Sequence, residues 1–204
     1  MKTLTLCLIM LLALGLALPA SAQLRLGMIG GPNLANLRSP DTNDLDSRHR
    51  TRFGGGGVVE LALGRWVALS MEPMYLQKGA QLDIFSEANI LKLSYIEVPM
   101  LVKLSLWRSP MQPYLVIGSS VGFLRSARVS DKSESQKVDI KEFVNDRDIN
   151  LIGGAGLRVP AGKVAIFVEG RYAYGLVNIF EESVTDVMTK GLQVMAGVTV
   201  PLGR

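Results

Sequence analysis

The chain has 204 residues, 48% hydrophobic and 20% charged, with 21 Gly, 9 Pro, one Cys, one His and a formal net charge of +4. This is one domain's worth of chain, its mean hydropathy of +0.26 is high for a soluble domain, and its evenly mixed charge excludes a disordered or collagen-like segment. A single Cys and a single His leave no disulfide framework, no Cys-rich zinc site and almost no His-centred catalytic constellation.

The first predicted element is a targeting segment. Lys2 precedes an apolar run, Leu6 to Leu18, and Pro19 with the small residues Ala20, Ser21 and Ala22 follows; this is the layout of a secretory signal peptide cleaved after Ala22. The run is too short for a transmembrane helix, which needs about 20 residues. Cys7 lies inside it, so residues 23–204, the expected barrel domain, contain no cysteine. Without Lys2 the balance is 21 basic to 18 acidic residues, or +3, with no basic block that would point to nucleic acid. No apolar span of helix-crossing length follows, so any membrane crossing must be made by strands.

Period-two alternation then marks eight segments: Leu24–Gly31, Arg52–Leu63, Trp66–Gln77, Ile90–Leu106, Pro113–Arg125, Asp148–Val159, Lys163–Tyr174 and Thr189–Pro201. Most run about ten residues, which suits a tilted bilayer crossing. Tight turns follow the second, fourth and sixth, at Gly64-Arg65, Trp107 to Gln112 and Pro160-Ala161-Gly162. Long polar stretches follow the first, third, fifth and seventh, among them Asn33 to Arg50 and Ser126 to Arg147. This alternation predicts an all-β, eight-stranded antiparallel up-and-down transmembrane barrel with short periplasmic turns and long extracellular loops.

The two faces differ in kind. In the seventh segment Val164, Ile166, Val168, Tyr172 and Tyr174 oppose Phe167, Glu169 and Arg171; in the last, Leu192, Val194, Ala196, Val198 and Val200 alternate with Gly191, Gln193, Met195, Gly197 and Thr199. Periodicity alone leaves open which face is outside, and a soluble lipocalin-like ligand-binding barrel is the alternative. The aliphatic face is the larger, and the opposite face, with Gly, Ser and charges, would make a poor dry core. That places the aliphatic face in lipid.

The inward face then carries Arg25, Glu60, Glu72, Glu97, Lys103, Arg158, Glu169 and Arg171, four acids and four bases. A gated ion path or a catalytic carboxylate pair is one reading; a structural salt-bridge plug is favoured, because an eight-stranded barrel is just wide enough for side chains to fill. Gly54 to Gly57 lacks the Gly-Lys-Ser/Thr of a phosphate cradle and reads as room for neighbouring side chains. Asp46, Ser47 and His49 share a loop but lack the supporting scaffold that a triad needs. Trp66, Trp107, Tyr75, Tyr114, Tyr172 and Tyr174 are expected in interfacial girdles. In the loop Ser126–Arg147, Val138, Ile140, Phe143 and Val144 are candidate interaction points.

Met71-Glu72-Pro73-Met74-Tyr75-Leu76-Gln77-Lys78-Gly79 and Leu93 through Lys103, with Pro113-Tyr114-Leu115, Gly153 to Gly156 and Glu169 through Ile179, resemble segments of the PorT-like outer-membrane β-barrel family, typical of Bacteroidetes. The resemblance runs through residues 23–204 in order. It implies the outer membrane of a Gram-negative bacterium, passage through the barrel-assembly machinery, and a link to envelope or secretion machinery. One departure is the end of the chain, Val200-Pro201-Leu202-Gly203-Arg204, where family members usually close on an aromatic residue.

The resulting expectation is a small non-porin outer-membrane barrel, monomeric, surrounded by outer-membrane lipid, with no catalytic residues, cofactor or metal, whose loops engage an envelope partner, a host surface or a secretion component, a merely solvated loop being the competing reading. A lipid-modifying outer-membrane enzyme and the soluble barrel are the alternatives.

Overall fold

The computed structural model describes residues 23–38, 50–84, 87–107, 110–131, 137–139, 145–177 and 188–202. The signal segment, the Asp46, Ser47 and His49 group, and Ile140, Phe143 and Val144 lie outside the described residues. The elements in order are β1 (Gln23–Arg38), β2 (Arg50–Ala62), β3 (Val67–Met71), β4 (Met74–Ile84), β5 (Glu87–Ser105), β6 (Gln112–Asp131), β7 (Lys137–Asp139), β8 (Arg147–Ala161), β9 (Val164–Gly175) and β10 (Met188–Leu202). Neighbours pair antiparallel, and β1 pairs with β10 from Leu24 opposite Leu202 to Arg38 opposite Met188. That last ladder closes the sheet, so every crossing strand finds backbone partners on both sides, as a membrane interior requires.

Ten elements make eight staves. β3 and β4 keep one register on both neighbours: Met71 faces Val59 and Met100, while Met74 faces Gly56 and Glu97. The break between them follows from Pro73, which has no N–H to give to a ladder. Its carbonyl still accepts the Gly57 N–H at 2.9 Å, and the Glu72 N–H donates to the Pro99 carbonyl at 3.0 Å. β7 lies outside the staves and, among the described residues, pairs only with β6, at Arg128 to Ser130.

At one end of the barrel the connections are short. Ala161 pairs directly with Val164, and the intervening turn has Gly162 at φ 65°, a left-handed conformation that favours glycine. At the other end the strands outrun their sequence-predicted limits. The period-two reading stops the first segment at Gly31, the third at Gln77 and the fifth at Arg125; β1 continues to Arg38, β4 to Ile84 and β6 to Asp131. The polar stretch 78–89 is therefore no long loop, since Ile84 already pairs with Glu87. Beyond the bilayer both faces of a strand meet water, so alternation fades while the hydrogen-bond ladder continues.

The faces are those of a membrane barrel. Met28, Ile117, Leu151, Ile166 and Val194 are exposed on the outside, whereas Glu60, Glu72, Glu97, Glu169 and Arg171 are buried inside. A soluble barrel has the reverse polarity. Trp66, at the short-turn end, and Tyr75, nine positions along the same stave, are both exposed; at about 3.3 Å per residue and a tilt of about 40° they stand about 23 Å apart, close to the height of an apolar band between two aromatic girdles.

Candidate functional site

The lumen is where polar chemistry gathers. Successive side chains of a strand alternate sides, so Glu60 of β2, Lys103 of β5, Arg158 of β8, and Glu169 and Arg171 of β9 point inward from different staves and meet across the barrel. All eight of the expected inward charges are brought into ion pairs. Nearest the short turns, Glu60 receives Arg25 at 2.8 Å and Arg158 at 2.5 Å. In the middle, Lys103 Nζ lies 2.8 Å from Glu72 and 3.5 Å from Glu169, and Arg171 contacts both of those carboxylates. Lys103 also stands 3.8 Å from Glu60, which links the two groups.

A third group went unnoticed in the sequence. Lys78 Nζ lies 3.0 Å from Glu97 and 2.7 Å from Asp148, towards the loop end. Lys78 shares the parity of Glu72 along an unbroken register, and Asp148 shares that of Arg158, so the same alternation could have found both; the premature end of the third segment hid Lys78. Five cations thus meet five carboxylates in these ion pairs.

Neutral groups complete the network. The Ser70 hydroxyl donates to Glu72 Oε1 at 2.7 Å, and the Tyr114 hydroxyl donates to Glu169 Oε2 at 2.9 Å. The Lys103 ammonium is 5.0 Å from the Phe167 ring centre and 5.6 Å from that of Tyr114, where the negative ring face favours a cation. Apolar side chains pack between the ionic groups: Ile29, Val58, Met74, Leu76, Phe167 and Met195 in one cluster, Leu101, Tyr114, Val116, Ile152 and Ala173 in another. Among Asn33, Lys78, Asn150 and Gln193 a cavity of about 10 Å³ remains, no more than one water needs, about 10–15 Å³.

Tyr114 is the exception among the aromatics expected at the membrane interface. It is 2% exposed, because its strand position faces inward and its hydroxyl finds Glu169 there. Trp66, Trp107, Tyr75 and Tyr172 are exposed on the outside, and Tyr174 is half-buried. The glycines make room for rings of this kind. A Cβ on Gly156 would stand 2.5 Å from Tyr114 Cζ, and one on Gly197 would stand 2.4 Å from Phe167 Cζ. In the four-glycine run, Gly56 lets the backbone carbonyl of Pro73 approach where a Cβ would meet it at 2.1 Å. Of the loop candidates, Val138 has a described backbone, in β7 opposite Val129.

A closed β-barrel with an aliphatic exterior and an ion-paired interior defines the class of transmembrane outer-membrane barrels. Residues 19–181 match the outer membrane protein beta-barrel domain family, and the chain belongs to that family. In structure it is similar to Neisserial surface protein A (NspA), with a TM-score of 0.57 at 14% identity over 88% of this chain and 98% of that one. It is similar also to the outer membrane protein OprG from Pseudomonas aeruginosa, with a TM-score of 0.50 at 8% identity over 90% of this chain and 96% of that one. At such identities the likeness is one of fold. No curated protein sequence matches the chain. The protein is a small outer-membrane β-barrel.

Proposed function

We propose that this protein is a non-porin, non-enzymatic barrel that holds a sheet-built interaction surface outside the cell, with its short turns in the periplasm and its lumen closed by the ionic plug. The observation that carries this reading is the continuation of β4, β5 and β6 beyond the staves. β5 and β6 have 19 and 20 residues, against about 9–11 for a tilted crossing. They stay paired up to Asn89 opposite Asp131, and β7 joins the flank of β6. A paired ladder holds its backbone in place before a partner arrives, which lowers the ordering cost of binding. The PorT-like motifs favour an envelope or secretion component as that partner.

The enzyme alternative would have to draw on Ser47 and His49, which lie outside the described residues; the plug offers it little, since each lumen carboxylate among the described residues is engaged by a cation. Photo-crosslinking in living cells tests the proposal. A photoreactive residue at Val138 is expected to yield a discrete protein adduct, whereas one at the outward-facing Met28 yields none. Protein adducts absent at Val138, or equal at both positions, contradict it.

A further inference from the structure

The short-turn end of the lumen opens into a cavity of about 160 Å³, many times the 10–15 Å³ or so that one water needs. Its polar lining comes from Gln23, Arg25, Gln112, Arg158, Lys163 and Thr199, and a smaller adjoining pocket adds Arg65. No carboxylate lines either space among the described residues. Glu60, fully buried beneath, is the acid that Arg25 and Arg158 share. The mouth therefore sets two guanidiniums against one carboxylate, with Arg65 and Lys163 as further exposed cations at the rim.

Arg158 lines both spaces although it is 6% exposed, so its charge is held in place behind the mouth rather than waving in solvent. Positive charge in excess around a sheltered cavity is costly, and an anion seated there would offset it. We propose that this mouth binds a phosphate group. A phosphate offers several acceptor oxygens in a tetrahedral array, enough to meet two guanidinium forks and an ammonium together. A carboxylate has only two oxygens for the same donors.

Two sources carry that group: inorganic phosphate from solution, and the headgroup of a phospholipid in the surrounding leaflet. Trp66 and Trp107 are exposed at this same end, where such rings mark the headgroup level. Both sources can be tested on the full barrel, residues 23–204, folded in a maltoside detergent that contains no phosphate. Calorimetric titration with inorganic phosphate and with a short-chain phosphatidylglycerol is expected to show saturable binding of one molecule per chain for at least one of them. The double variant Arg65→Gln with Lys163→Gln changes only exposed rim residues and is expected to weaken binding at least tenfold, while Arg147→Gln, exposed at the loop end, leaves it unchanged. Binding of phosphate alone assigns the site to the solute, and binding of the lipid alone assigns it to the headgroup. The proposal is overturned if neither ligand binds, if chloride at equal ionic strength reproduces the signal, or if Arg147→Gln weakens binding as much as the rim variant.

Discussion

Arg171 shows most clearly what the lumen asks of a side chain. It is fully buried and contacts Glu72 and Glu169, so its removal would leave two carboxylates with only Lys103 between them. Breaking a buried ion pair from one side typically costs about 3–5 kcal/mol, and Arg171→Ala is predicted to destabilise the barrel by that much in reversible unfolding from lipid vesicles. Val194→Ala, on the outside, loses packing only against acyl chains and is predicted to cost well under half as much. Equal losses would mean that the faces are assigned the wrong way round. Glycine supplies a second contrast. Gly156→Ala would push Tyr114 away from Glu169 and is predicted to cost about 1–3 kcal/mol, as overpacking does. A Cβ on the outward-facing Gly153 meets nothing within 4 Å, so Gly153→Ala is predicted to be neutral or slightly stabilising in the same assay. The eight inward charges were legible in the sequence because parity alone places them. Their pairing was not, since which acid meets which base depends on how the staves face each other across a closed barrel. Tyr114 was misassigned for a related reason: an aromatic near a strand end suits a girdle or a lumen equally well until its parity is fixed against its neighbours.

The staves were legible wherever lipid enforces alternation. All eight crossing segments could be read from period two, and the boundaries moved furthest where that force ends, beyond Gly31, Gln77 and Arg125. The Pro73 break is instructive, because it interrupts hydrogen bonding without shifting register, so one sequence segment becomes β3 and β4 while the faces run on unchanged. A shift does occur higher up, where the pairing of β5 with β6 passes from Ser94 opposite Ser126 to Tyr95 opposite Leu124. The extra residue there is a bulge, a device that bends a strand and increases its twist, and it sits where the extension leaves the barrel. If the extension serves partners rather than folding, it is dispensable to the barrel. Excision of residues 80–91, with Gly79 joined to Lys92 through an Asn-Gly turn, is predicted to leave the heat-dependent shift in electrophoretic migration intact while abolishing the adduct formed from Val138. Loss of the migration shift would show instead that the extension helps to build the fold.

Taken as one body, the molecule puts apolar surface where lipid is and hides its charge in a lumen whose middle is too narrow to leave it wet. Such a plug does not by itself make the barrel more stable than an apolar filling would, because each ion gives up its hydration on entering. Its consequence is functional: cations and carboxylates, bridged through Lys103 and packed against Phe167 and Tyr114, occupy the space that a channel would need. Conductance across a planar bilayer tests this most directly. The intact barrel, residues 23–204, is predicted to insert without any steady stepwise current across the range of potentials the bilayer withstands. A stable, ion-selective open state would contradict the closed lumen on which the account rests.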